Sequence, residues 1–201
     1  LRIGTSRGAV LTPDLPTPQP IAVSTGPSVD APTLFSNEDW RMKPYQLPDI
    51  AAKTLMKNIM QAKTPEEAQQ VRVKLAQMYL AEGMGVEALA VLQRIRQLSP
   101  EYYAREKLAA LSGAARFLMY RFQEAAQDFS SPELRGLREL DFWRSMLDNL
   151  QGAGGQPLNF MDFQEAYISH YPPLLRYRLA ILSADRALAA SDAAASAQIL
   201  E

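Results

Sequence analysis

From Pro48 onward, apolar residues recur at intervals of three and four, the spacing that lines one face of an α-helix. Leu55, Ile59 and Met60 predict a first helix over about Pro48 to Lys63. Thr64-Pro65-Glu66-Glu67 is a start signal: Thr64 as N-cap, Pro65 at the first helical position, and Glu67 completing a capping box. The helix it opens carries Leu75, Ala76 and Tyr79 and runs to about Glu82, where Gly83 and Gly85 close it. Val86 to Leu98, with Ala88 and Leu92, reads as its antiparallel mate, and the small Ala76 and Ala88 let the two pack closely. Ser99-Pro100 is expected to cap and start the next helix.

The pattern then repeats. Leu111, Gly113 and Phe117 fall on the first helix of a second unit, and Phe122, Ala125 and Phe129 on its second. Gly113 precedes Ala125 by the same distance as Ala76 precedes Ala88, while Ala88 to Ala125 spans 37 residues. Ser130-Ser131-Pro132 stops that helix and caps a third unit. There Trp143, Met146 and Leu150 hold the large apolar places and Leu147 stands where a small residue is expected. Gly152-Ala153-Gly154-Gly155-Gln156-Pro157 breaks the helix, and Leu158 to Tyr171 supplies its mate. Pro172-Pro173 opens a fourth unit with Leu182, Ser183, Ala195 and Ile199 in register.

The beginning of the chain is different. Six of the 14 prolines lie between Pro13 and Pro32, and the only charges before residue 36 are Arg2, Arg7, Asp14 and Asp30. Proline fixes φ and removes backbone donors, so the first 35 residues are expected to be extended rather than helical, and residues 1–46 to form an extended tether or an arm wrapped on the helical body. Trp40 and Tyr45 lie outside the repeats and are suited to pinning such an arm down. Residues 47–201 form the repeat region, and the chain reads as a piece of a longer polypeptide whose array continues past 201.

Composition narrows the chemistry. With 21 basic and 22 acidic residues and a net charge of −1, no strong field draws nucleic acid or an anionic membrane. No apolar run approaches the length that spans a bilayer, so no membrane insertion is expected. Cysteine is absent, and the single histidine, His170, sits at a predicted helix end where a surface or capping role suits it. Glu66-Glu67 and Asp141/Asp148 are the nearest approach to a carboxylate metal site, and they read as helix-start charge and solvated face. Gly4-Thr5-Ser6-Arg7-Gly8 lacks the Lys-Ser/Thr and the following helix of a phosphate loop. No cofactor, metal or catalytic residue is expected, and the chain is read as no enzyme.

Arg72 to Pro100 resembles one complete tetratricopeptide repeat, the 34-residue unit with W-x2-L-G-x2-Y, then A-x3-F, then P. Leu75, Tyr79, Ala88 and Pro100 hold their places; Arg72 at the Trp, Ala76 at the Gly and Leu92 at the Phe depart. Three more degenerate units follow. Tyr120-Arg121-Phe122-Gln123-Glu124-Ala125, Asp141-Phe142-Trp143-Arg144 and His170-Tyr171-Pro172-Pro173-Leu174-Leu175-Arg176 are similar to stretches of large α-proteobacterial repeat proteins. The resemblance implies an all-α solenoid of helical hairpins after a Pro-rich extended segment. It implies a protein–protein interaction scaffold that assembles or anchors a larger bacterial envelope complex, in the periplasm or otherwise outside the cytoplasm. A cytoplasmic setting, and a spacer or regulatory domain of a larger enzyme, are the alternatives. In such a solenoid the first helices line the groove. Val73, Gln77 and Leu80, then Ala110, Ala114 and Phe117, then Arg144, Asp148 and Gln151 are the expected lining. The partner expected there is a helix or an extended apolar protein segment, unless the chain's own arm fills the groove. Self-association through the open end of the array is a further expectation.

Overall fold

The computed structural model describes residues 34–40, 47–150, 163–164, 167–189 and 193–200, and every regular element among them is helical. A single turn, α1 (Asn37–Trp40), precedes α2 (Pro48–Gln61), α3 (Pro65–Ala81) and α4 (Gly85–Leu98). Then come α5 (Pro100–Arg105), α6 (Ala109–Leu118), α7 (Phe122–Phe129), α8 (Glu139–Leu150), α9 (Pro173–Ala189) and α10 (Ala193–Leu200). Short 3-10 turns occupy Pro132–Leu134 and Ile168–His170. None of the described helices is long and apolar enough to cross a membrane. The Pro13–Pro32 stretch, Gly4–Gly8, Tyr45 and the Gly152–Pro157 break lie outside the described residues.

The capping box at α3 forms with one adjustment. Thr64 Oγ1 accepts from the Glu67 N–H at 3.1 Å, and Glu67 reaches back to the Lys63 N–H at 2.8 Å rather than to that of Thr64 itself. Two otherwise unpaired donors are satisfied, a gain of about 1 kcal/mol. α3 and α4 then pack as a hairpin through Leu75, Ala76 and Tyr79 against Ala88, Leu92 and Ile95, all buried. α6 and α7 repeat it with Gly113, Phe117, Ala125 and Phe129.

Both hairpin turns are closed by the same backbone device. After α3, the Gly83 N–H donates to Leu80 O and the Met84 N–H to Tyr79 O; Gly83 has φ +72°. After α6, the Tyr120 N–H donates to Phe117 O and the Arg121 N–H to Arg116 O; Tyr120 has φ +59°. This is the Schellman cap, which needs a left-handed residue just past the helix end. A third copy follows α5, with Lys107 at φ +55°. That third cap breaks the helix begun at Pro100 into α5 and α6, so the first helix of the second unit is jointed rather than continuous. The joint lies within the stretch that lengthens the repeat to 37 residues. Ser99 does not cap α5 with its side chain, because its Oγ instead accepts from Gln69 Nε2 at 2.8 Å.

The last hairpin, α9 with α10, does not simply extend the row. α9 returns to α3. The Leu174 side chain lies 3.0 Å from where a Cβ on Gly83 would be, and the Arg178 guanidinium stacks over the Tyr120 ring at 4.6 Å. α9 therefore touches the turns of both earlier hairpins.

Candidate functional site

The interior of the helical body is aromatic. Trp143, wholly buried on α8, meets Phe117 at 5.0 Å, Phe129 at 5.1 Å, Phe35 at 5.3 Å and Tyr171 at 6.2 Å between ring centroids. Its indole N–H donates to the Tyr171 hydroxyl at 3.3 Å. Phe35 comes from the segment before the first helix, yet is 0% exposed and packs edge-on to both Tyr171 (5.2 Å) and Trp40 (6.0 Å). Residues 34–40 are thus held against the body, with α1 resting on α3. The expected pinning role of Trp40 matches its burial.

One charged side chain sits at the joint between arm and body. Glu139, the first residue of α8, is 5% exposed, and its Oε2 accepts from the Leu34 N–H at 2.8 Å across 105 residues of sequence. The Phe35 N–H and Tyr171 hydroxyl favour its charged form, but Oε1 has no hydrogen-bond partner among the described residues. Burial outweighs these groups and pushes the Glu139 carboxyl up to about 7. The same burial raises the Tyr171 phenol well above its ordinary range, with the nearby Glu139 charge adding to it.

The nine expected groove residues separate into three groups. Leu80, Ala110, Ala114 and Phe117 are core residues, none more than 1% exposed, so they line no open groove. Phe117 lies between Phe122 and Trp143. Val73 and Gln77 are half-buried and Asp148 is exposed, while Gln151 lies outside the described residues. Arg144 is engaged in holding the fold, since its Nε and Nη2 donate to Phe129 O at 3.1 and 2.9 Å, and Nη2 also to Leu134 O at 2.9 Å. It caps the end of α7 and pairs with Asp141 at 3.0 Å, so four of its five N–H donors serve the fold.

Of the remaining polar groups that the sequence singled out, the helix-start glutamates Glu66 and Glu67 are engaged in local structure. Glu66 pairs with Arg105 at 2.7 Å beside an open cleft of about 430 Å³ lined by Gln69, Ser99 and Tyr102. His170 is exposed on its 3-10 turn. Arg116 and Asp128 form a largely buried ion pair that ties α6 to α7. What sequence reasoning missed is Glu139. It follows Arg138 and begins an apolar helix, so it reads as a solvated charge at a helix start.

On the outside, α9 carries a half-exposed apolar stripe of Leu174, Tyr177, Ile181 and Leu188. α2 adds Met56 and Met60, the latter 80% exposed. No protein-family model matches the chain, and neither a curated protein nor a solved structure matches it.

Proposed function

We propose that this chain is a non-catalytic protein-interaction scaffold, a tetratricopeptide-like array of helical hairpins that helps assemble or anchor a larger complex. The observation that carries this reading is the repeat of one hairpin at a fixed offset of 37 residues. Ala76 recurs as Gly113, Gly83 as Tyr120 and Ala88 as Ala125, each pair in the same structural role. Stacked hairpins that share one core are an architecture whose extended faces are used to hold other proteins. The half-exposed Leu174, Tyr177, Ile181 and Leu188 supply apolar anchor area of the kind partners use. A bacterial envelope setting belongs to the proposal too, supported by the resemblance of Tyr120–Ala125, Asp141–Arg144 and His170–Arg176 to extracytoplasmic repeat proteins.

The test is site-specific photo-crosslinking of the full chain in cells, with the reactive group at Tyr177 in one variant and at Met60 in another. A discrete adduct with one protein supports the scaffold reading. The absence of any adduct from either position, with the chain expressed and folded, contradicts it.

A further inference from the structure

The aromatic interior has the parts of a peptide-docking site. Trp143 and Tyr171 form a pocket for one aromatic ring, filled here by Phe35. Glu139 Oε2 reads the backbone N–H of the residue before that ring. Trp40, five residues further on and 4% exposed, is a second ring, buried on α1 where that turn rests on α3. A main-chain contact for affinity and pockets for spaced side chains is how folded domains grip short segments.

Three observations separate this arm from an ordinary piece of core. The first concerns length. α1 is only four residues long, far too short to be stable as an isolated helix, so its order derives from the surface it lies on. The second concerns the body. Trp143 packs on Phe117, Phe129 and Tyr171 as well as on Phe35, so the cluster stays contiguous without the arm. The third concerns polarity. A buried carboxylate with one oxygen unpartnered among the described residues is a costly way to join two elements that apolar side chains would join more cheaply. It stands at the seam between arm and body, where a joint that opens would tolerate it.

We propose that this seam is a second partner site of the scaffold, apart from the exposed α9 stripe, self-occupied in this structure by Leu34–Trp40. Resting on the scaffold reading above, the proposal commits to one kind of occupant. It is a protein segment presenting a phenylalanine with a free amide N–H before it and a second aromatic residue five positions later. The chain's own arm is the competitor that such a segment displaces.

The probe is an acetylated, C-terminally labelled peptide copying Leu34–Trp40, and binding to the full chain is read by fluorescence anisotropy. Phe35→Ala weakens the internal competitor and is expected to bind the peptide about tenfold more tightly than the unaltered chain does. Adding Glu139→Met, which keeps volume but removes the acceptor oxygens, is expected to undo about tenfold of that binding. A Phe35→Ala chain with unchanged helical circular dichroism and no gain in peptide binding overturns the proposal. If Phe35→Ala unfolds, amide exchange on the unaltered chain decides. Leu34 and Phe35 amides exchanging about tenfold or more faster than those of Trp143 and Leu147 support a detachable arm. Equal protection makes the arm part of the cooperative core and overturns the proposal. Peptide binding without any crosslinked partner in cells upholds the site while contradicting the scaffold reading, so the two fail separately.

Discussion

The α3–α4 and α6–α7 hairpins share a topology, an offset and a turn geometry, yet they close in different ways. In the first, Ala76 and Ala88 bring the two helices together and the filling comes from the hairpin's own Leu75, Leu92 and Ile95. In the second, Gly113 stands in the place of Ala76, and the vacated volume admits the Phe129 ring, whose nearest carbons lie 2.8 Å from where a Cβ would be. Phe129 in turn packs on Trp143 of α8, which packs on Phe35 of the arm. Between its two helices the first hairpin is filled by its own residues, while α1, α2 and α9 pack on α3 from outside. The second is filled by residues drawn from other parts of the chain as well, and Trp143 couples it to the Phe35 ring of the arm.

The comparison is broken most strongly at Trp143. Trp143→Ala should cost about 3–5 kcal/mol in urea unfolding, and the lost protection should fall on α6–α7 rather than on α3–α4. Next comes pH. Because the folded Glu139 carboxyl titrates near 7 and the unfolded one near 4.5, its contribution is fully present below 4.5 and lost as pH rises through 7. The groups acting on it are the Leu34 and Phe35 amides and the Tyr171 hydroxyl. The unaltered chain should lose at most roughly 3 kcal/mol between pH 4.5 and pH 8 from this group, and Glu139→Gln should flatten that slope. A slope that survives the substitution unchanged would place the titration elsewhere.

Gly113→Ala comes third. The added methyl meets the Phe129 ring and should destabilise by about 1–3 kcal/mol, whereas Ala76→Gly should cost only about 1 kcal/mol, through backbone entropy. Phe129→Leu should make Gly113→Ala less costly in a double-mutant cycle; additive effects would mean that the two positions are independent. The smallest effects lie at the caps. Gly83→Ala should lower stability by about 1–2 kcal/mol, since φ is +72° and Leu174 crowds the new Cβ. Lys107→Gly should raise it by about 0.5–1 kcal/mol, because glycine adopts φ +55° without strain. Thermal unfolding of each variant gives the sign.

Much of the helical framework could be read from the residues. Thr64-Pro65-Glu67 announced α3, Gly83 its end, and the shared interval from small residue to small residue marked the two hairpins. These signals are local, and local chemistry decides caps and turns. Trp40 stood out because a large aromatic residue outside the repeats must be buried somewhere. Glu139 and Arg144 were not legible, because their roles are set by distant chain. A glutamate meets the Leu34 amide only after 105 residues have folded between them, and an arginine finds the Phe129 and Leu134 carbonyls only once α7 ends beside α8. Leu80, Ala110, Ala114 and Phe117 proved buried for the same reason: the neighbours that cover a helix face leave no mark in its own periodicity.

The most direct measurement compares amide hydrogen exchange of the full chain with and without Trp143→Ala, under conditions where both remain helical. If the second hairpin is held by the aromatic interior, α6–α7 amides lose about tenfold more protection than α3–α4 amides do, and the Leu34 amide loses it with them. Equal loss in both hairpins, or a Leu34 amide that keeps its protection, would contradict that coupling.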